Sequence, residues 1–445
     1  MLAGTKISRS DQNRALALST VAFTACFAVW TIFAIIGVAI KKELSLSEFQ
    51  FGLLVATPIL TGSVVRIVLG VWTERYGGRI VFPLQMLAAA AATWALTWAT
   101  TYPQYLLAAL GIGLSGGSFI IGVAYVSRWY DKGHQGTALG IFGAGNVGAA
   151  VTKFVAPFVM VAWGWQGVAQ VWSVGLALMA VVFFLLAKDD PELTQRRAGG
   201  YKAPGWAEQF APLKKLQVWR FSLYYFFVFG AFVALALWMP HYLIDVYGVD
   251  VKVAGMAAAA FSLSASIFRA YGGHLSDKYG ARTVMYWTFG FSLALLFVLS
   301  YPPTDYIITG KNGPVTFSTA IGLWPFIAIM FTLGFFMSLG KAAVFKHIPV
   351  YYPNHVGSVG GLVGMIGGLG GFVLPIVFGA LLDMTGIYTS CFMLLFLLVG
   401  IALAWMHGSI RLMERAAHGA VLRRLPALPE MQTIHSPDET RLSGR

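Results

Sequence analysis

The chain has 445 residues, of which 58% are apolar and 11% charged, with a formal net charge of +13. Soluble domains carry roughly 25% charged residues, so a soluble globular protein is excluded. The alternation of a lipid-facing β-barrel is absent, and the positive excess lies in loops and tails rather than in a basic, aromatic-interleaved patch, which excludes nucleic acid as a partner.

Residues 1–17 form a polar N-tail with Lys6, Arg9 and Arg14. The apolar stretch that follows is too long for a cleavable signal and no small-residue cleavage site follows it, so it is expected to remain as a span. Twelve apolar segments are then predicted as helices able to cross about 30 Å of hydrocarbon, at about 18–40, 49–73, 80–99, 104–127, 136–161, 168–187, 219–243, 252–275, 283–300, 319–342, 357–382 and 387–407. The one long interior polar segment, 188–218, holds Asp189, Asp190, Pro191, Arg196, Arg197, Lys202, Lys214 and Lys215. It divides the chain into a six-helix unit at 1–187 and a second at 219–410, followed by a tail at 411–445. An even number of spans puts both termini on one side. Most of the 31 lysines and arginines fall on that side, against Lys41, Lys42, Lys252 and Lys311 on the other, so both termini are expected in the cytoplasm. The arginine-rich tail is expected to contact lipid headgroups. Cys26 and Cys391 sit in apolar spans and are read as small buried hydrophobes.

The chain repeats itself. Residues 52–79 return at 255–282 in constant register. Gly52 meets Gly255, Arg66 meets Arg269, Gly70 meets Gly273 and Glu74 meets Asp277, and Tyr76, Gly77 and Arg79 meet Tyr279, Gly280 and Arg282. Further on, Gly136, Gly140 and Gly143 meet Gly360, Gly364 and Gly367, with a polar insertion at 301–318 accounting for most of the changed spacing. Arg66 lies eight residues before Glu74, roughly 12 Å along a helix, against a bilayer half-thickness of roughly 15 Å. It is therefore too deep for a cytoplasmic-end arginine, and so by the repeat is Arg269. A cation inside a bilayer is costly and marks a functional site, here one shared by two halves. No Asp or Glu sits in the middle of a span to balance the pair. The missing partner is then a bound anion, and the planar guanidinium fork suits a planar oxyanion.

Three further patterns stand out. GIFGAGNVGAAV at 140–151 and GGLVGMIGGLGGFVLP at 360–375 carry small residues at helical spacing: Gly140, Gly143, Gly145 and Gly148, then Gly364, Gly367, Gly368, Gly370 and Gly371. Close helix packing explains the glycines, whereas Asn146 is a mid-helix amide that needs a partner and could orient an anion. Glu74, Arg75 and Arg79, with Asp277, Lys278 and Arg282, line two short turns whose ion pairs could clamp a gate. Lys153, Lys341, Lys346 and His347 lie in or beside spans. They could snorkel to the headgroups, add positive potential to the path, or exchange a proton.

The paired turns at 74–79 and 277–282 resemble the loop motif of the major facilitator superfamily. Gly140–Gly148 and Gly364–Phe372 resemble the two glycine signatures of its nitrate/nitrite porter (NarK-like) family. The resemblance covers nearly all the spans. It implies an all-α membrane fold of twelve helices in two six-helix bundles, working by alternating access, with no cofactor. It implies nitrate or nitrite held between Arg66 and Arg269, sandwiched by Phe119 and Phe229, with Tyr225 as a hydroxyl donor and Asn146 behind the site. It also implies a monomer in the inner membrane, with protons as coupling ion in nitrate symport; nitrate/nitrite exchange is the alternative. A cation or multidrug exporter of the same fold would need a membrane-embedded carboxylate, which is not found. No catalytic grouping and no metal site is expected, because His241 and His347 stand without an acid at helical spacing and Asp245 lies at a helix end.

Overall fold

The computed structural model describes residues 8–130, 134–191, 193, 211–352 and 356–421. The first half contains α1 (Arg9–Leu44), α2 (Glu48–Tyr76), α3 (Gly78–Trp98) and α4 (Tyr102–Ser127). The long stretch Thr137–Leu186 bends at Gly164, whose φ of 70° and ψ of 178° no helix accommodates; this separates α5 (137–163) from α6 (165–186). The second half contains α7 (Leu216–Tyr247), α8 (Val251–Tyr279), α9 (Ala281–Ser300), α10 (Leu323–Tyr351), α11 (Val356–Thr385) and α12 (Ser390–Val421). Eleven continuous apolar helices, one of them bent in two, therefore give the twelve expected spans among the described residues. Side chains on the outer faces, such as Leu84, Leu107, Leu178 and Leu397, are apolar and exposed, as lipid contact requires.

The repeat seen in the sequence is a repeat of backbone. Ser47 caps α2, with its hydroxyl accepting from Gln50 N and Gln50 Oε1 accepting from Ser47 N; its counterpart Asp250 caps α8 by accepting from Lys252 N and Val253 N, both at 2.8 Å. Each copy ends on a glycine in the positive-φ region, Gly77 at 86° and 150° and Gly280 at 83° and 140°. This conformation is closed to residues with a Cβ, and it turns the chain sharply into the next helix.

Four boundaries differ from expectation. α1 begins at Arg9, because Ser8 caps it and Asp11 sits in its first turn. Residues 304–319 form an antiparallel hairpin, β1 (Thr304–Gly310) paired with β2 (Gly313–Thr319), closed at Lys311-Asn312 with Gly313 at φ 121° and braced by stacked Tyr306 and Phe317. α10 starts only at Leu323 and runs to Tyr351, so Lys341, Lys346 and His347 lie within it rather than at its end. α12 continues to Val421, into the segment read as tail, while residues 192, 194–210 and 422–445 of the linker and tail lie outside the described residues.

The bundles meet along α2 with α11 and, by the same symmetry, α5 with α8; α1 also meets α7. At the end away from the termini this seam is shut. The missing Cβ of Gly52 faces the Pro375 carbonyl, and that of Gly379 faces the Glu48 carbonyl, so the two backbones touch. The Asp383 carboxylate of α11 accepts from Glu48 N at 3.1 Å and Phe49 N at 2.8 Å, capping α2 from the opposite bundle.

Candidate anion site at the bundle seam

Five helices lose their regular winding at or beside the residues of interest. α1 is interrupted by a turn at Thr31 and Ile32, just after Trp30. α4 tightens to a 3₁₀ turn at Gly113–Gly117, just before Phe119, and α5 does so at Ala144–Val147, which contains Asn146. α7 widens to a π turn at Phe226–Ala231, which contains Phe229 and follows Tyr225. α8 loosens at Phe268, immediately before Arg269. Such irregularities are tolerated within a membrane only where backbone is enclosed by protein or lines a cavity, and they cluster at functional sites.

Both arginines are buried, at 6% and 8% exposure, and each reaches across the seam to the glycine-rich helix of the other bundle. Arg66 of α2 donates from Nη1 to Gly364 O of α11 at 3.0 Å, and from Nε to Gly62 O on its own helix at 3.2 Å. Arg269 of α8 lies over Gly143 of α5, where a Cβ would come within 3.3 Å of the guanidinium. Both guanidinium groups sit over the same ring, Phe119, at 5.6 and 5.7 Å from its centroid. Arg66 also lies 5.8 Å from Phe229 and 5.7 Å from Trp30, and Arg269 lies 5.9 Å from Phe345. Phe229 stacks on Tyr225 at 5.0 Å and 11°, and the Tyr225 hydroxyl is within hydrogen-bonding reach of Arg269.

Several polar groups here lack a protein partner. Arg269 Nη1, both side-chain atoms of Asn146 and Ser63 Oγ are buried without a hydrogen bond. Buried polar atoms are nearly always paired, and although unpaired hydroxyls occur elsewhere among the described residues, an unpaired guanidinium nitrogen leaves a donor open to a small polar partner. Neither Arg66 nor Arg269 makes an ion pair with a carboxylate among the described residues.

The signature glycines divide by role. Gly143, Gly364 and Gly368 lie against the guanidinium groups, and Gly367 lies against Tyr225. Gly145 and Gly148 let α5 approach α1 at Phe23 and at the Thr24 carbonyl, and Gly370 and Gly371 let α11 approach α7 at Gly230 and Val233. Gly140 has open space where a Cβ would be.

The remaining candidates separate. Lys341 is fully enclosed, with Nζ 3.4 Å from the Phe232 centroid and 6.0 Å from that of Phe229. Lys153 is equally enclosed and, among the described residues, donates to Ala149 O at 2.9 Å, at the crossing of α5 with α8. Lys346 is drawn away to Asp277, an ion pair within the second bundle. His347 is buried against Phe221 and Tyr351, beside a small cavity shared with Arg220 and Arg282 and apart from the centre. The turn charges also pair within a bundle: Glu74 with Arg128, and Arg282 with Glu414 at 3.6 Å. Arg79 lies over Phe184, Arg75 over Tyr76 and Lys278 over Tyr279.

The expectation that His241 lacks an acid is overturned. Its Nε2 lies 2.7 Å from Glu48 Oε2 and its Nδ1 lies 3.3 Å from Asp245 Oδ2, with Lys41 bonded to Glu48 and 3.2 Å from the ring. Asp245 lies one helical turn from His241, a pairing that local spacing does show, whereas Glu48 and Lys41 come from the other bundle and no local spacing reaches them. The three ligand-type groups are close enough to hold a metal ion, but the Lys41 ammonium already takes the cation's place. Trp30 and Phe345 were also missed: one lies in an unremarkable apolar run, the other inside the lysine-bearing segment of α10.

Comparison with known proteins identifies the fold and the family. The Major Facilitator Superfamily matches residues 18–316 and 253–425, the two overlapping matches reflecting the internal repeat. The chain is 42% identical over 92% of its length, and 94% of the other's, to a Probable nitrate/nitrite antiporter NarK1 of Thermus thermophilus. It is 31% identical over 83% of its length and 89% of the other's to a Probable nitrate transporter NarT of Staphylococcus aureus, and 29% identical over 86% and 91% to the Nitrite extrusion protein of Bacillus subtilis. Among solved structures, a bacterial homolog of the human lysosomal transporter Spinster, in an inward-facing and occupied conformation, superposes with a TM-score of 0.69 at 16% identity, over 91% of this chain and 98% of that one. Two bundles related by a repeat, a buried arginine from each and sequence relatives of this kind together make the chain a member of the NarK-like nitrate/nitrite porter family of the major facilitator superfamily.

Proposed function

We propose that this protein carries nitrate, and nitrite as a second substrate, across the cell's inner membrane as a monomer with both termini in the cytoplasm, by proton-coupled symport. The observation that carries this reading is the pair of buried guanidinium groups from opposite bundles, facing one aromatic ring with no carboxylate paired to either among the described residues. A planar oxyanion offers each fork two acceptor oxygens and can lie against the aromatic faces of Phe119 and Phe229. Tyr225 and Asn146 supply the remaining hydrogen bonds. The first bundle rocks against the second around this site, with the seam opening alternately at each end. Symport of one monovalent anion into a negative interior is opposed by about 2.3 kcal/mol per 100 mV unless at least one positive charge travels with it. The enclosed lysines are the candidates to carry that charge, and Lys346 and His347 are the weaker ones because they face other partners.

Nitrate/nitrite exchange is the second reading, and the name of the 42% identical relative favours it. Nitrate flux into liposomes separates the two when pH gradient, voltage and internal nitrite are varied independently. Symport predicts uptake driven by an inward proton gradient without internal nitrite. Uptake that needs internal nitrite and ignores the pH gradient establishes exchange.

A further inference from the structure

We propose that Lys341 is the third cation of the site and carries one proton with each bound anion, protonated when nitrate arrives and unprotonated when it leaves. This deepens the reading of the seam as an anion site and rests on it.

Lys341 Nζ is fully enclosed, has no hydrogen-bond partner among the described residues and lies over the ring faces of Phe232 and Phe229. Phe229 is the same ring that lies 5.8 Å from the Arg66 guanidinium, so the ammonium and that guanidinium lie against one ring. The charged group acting on it among the described residues is Arg269 of α8, of like sign. α7 presents the neutral Tyr225 at the site, and the other titratable groups on this part of α10 are turned elsewhere, Lys346 to Asp277 and His347 to Phe221 and Tyr351. A ring face returns far less to a cation than the hydration it replaces. With the site empty, a charged Lys341 would make three like charges in one dry volume. A monovalent anion supplies the opposite charge, so anion and proton each favour the other's binding by the same factor.

The charge count closes. With a neutral amine the empty seam carries the two arginine charges. With nitrate bound and one proton taken from bulk water onto the amine nitrogen, three positive charges and one negative again sum to two. The carrier thus moves the same charge loaded and empty, so the membrane potential does no net work over a full cycle.

The test is calorimetric titration of nitrate into the purified full-length transporter, in buffers of different ionisation heat, from about pH 5 to 9. The wild-type protein should take up close to one proton per nitrate on the alkaline side, with affinity falling about tenfold per pH unit there. Lys341→Arg keeps the charge but gives up no proton, so it should bind nitrate with no proton uptake and a flat pH profile. Lys341→Met should show no uptake and binding weakened at least about tenfold at acid pH. Proton uptake that survives in either variant, or is absent from a wild-type protein that binds nitrate, overturns the proposal. A wild-type protein that binds no nitrate overturns the seam reading instead. If Lys341→Met does not fold, the arginine variant decides alone.

Discussion

Arg66 ties its bundle to the opposite glycine helix through the Gly364 carbonyl, and Arg269 packs over Gly143 with Nη1 unpaired; in the proposed reading both turn donors to an anion. Lysine can neutralise charge but cannot reproduce the fork, so Arg66→Lys and Arg269→Lys should each weaken nitrate binding by at least about tenfold, or about 1.4 kcal/mol, as read by equilibrium binding. Wild-type affinity in both would remove the arginines from the site. Gly143→Val should act through Arg269: its branched carbon must enter space within 3.3 Å of the guanidinium. A loss of binding of about tenfold or more is expected with the melting temperature little changed, because the displaced group is the end of a flexible side chain. Lys153→Gln should leave the pH dependence of uptake unchanged, because Lys341 carries the proton and Lys153 packs at the α5–α8 crossing; a flattened pH profile would move the coupling to Lys153. At this scale the sequence was informative where residues repeat. Arg66 and Arg269 declared themselves by depth and duplication, whereas Phe345 and Trp30 were silent because an aromatic residue in an apolar span looks the same whether it faces lipid or a guanidinium.

The helices were legible because lipid demands about 20 apolar residues per crossing, and this sets their number and order more firmly than propensity does. What blurred the ends was local chemistry that hydropathy does not weigh: the Ser8 cap that starts α1 early, and the alternation around Gly310-Lys311-Asn312-Gly313 that makes a hairpin. The turn glycines were visible as repeats, but their reason is conformational. Gly77→Ala and Gly280→Ala each place a Cβ in the positive-φ region, and Gly77 also faces Leu193. Each should cost about 1–2 kcal/mol and lower the melting temperature in detergent. An unchanged melting temperature in both would mean that the two turns relax freely.

For the whole molecule, the seam is shut at one end by contacts between chain segments some 200–330 residues apart, as His241–Glu48 and Asp383–Glu48 illustrate. No reading of local pattern reaches that far, which is why this closure was missed while the arginine pair, carried by a repeat, was found. Asp383→Ala leaves two amides at the start of α2 uncapped from the other bundle, at about 1 kcal/mol or more. It should shift the population toward opening at that end. The check is labelling of a cysteine placed at Ile59, a fully buried seam position against Gly371, with a membrane-impermeant maleimide. A several-fold faster reaction in the Asp383→Ala background is expected, and equal rates would show that the capping carboxylate does not hold the seam.

The widened turn at Phe226–Ala231 spends one residue more than an ordinary turn of helix. An ordinary helix turns about 100° per residue, and the looser winding here absorbs the extra residue, so the segments on either side keep the register of one continuous helix. Removing one residue from the turn would restore regular winding with Tyr225 and His241 still on their own faces, and would displace the side chains of the turn itself, Phe229 among them. In this helix the count of residues, as much as their identity, sets where that ring points.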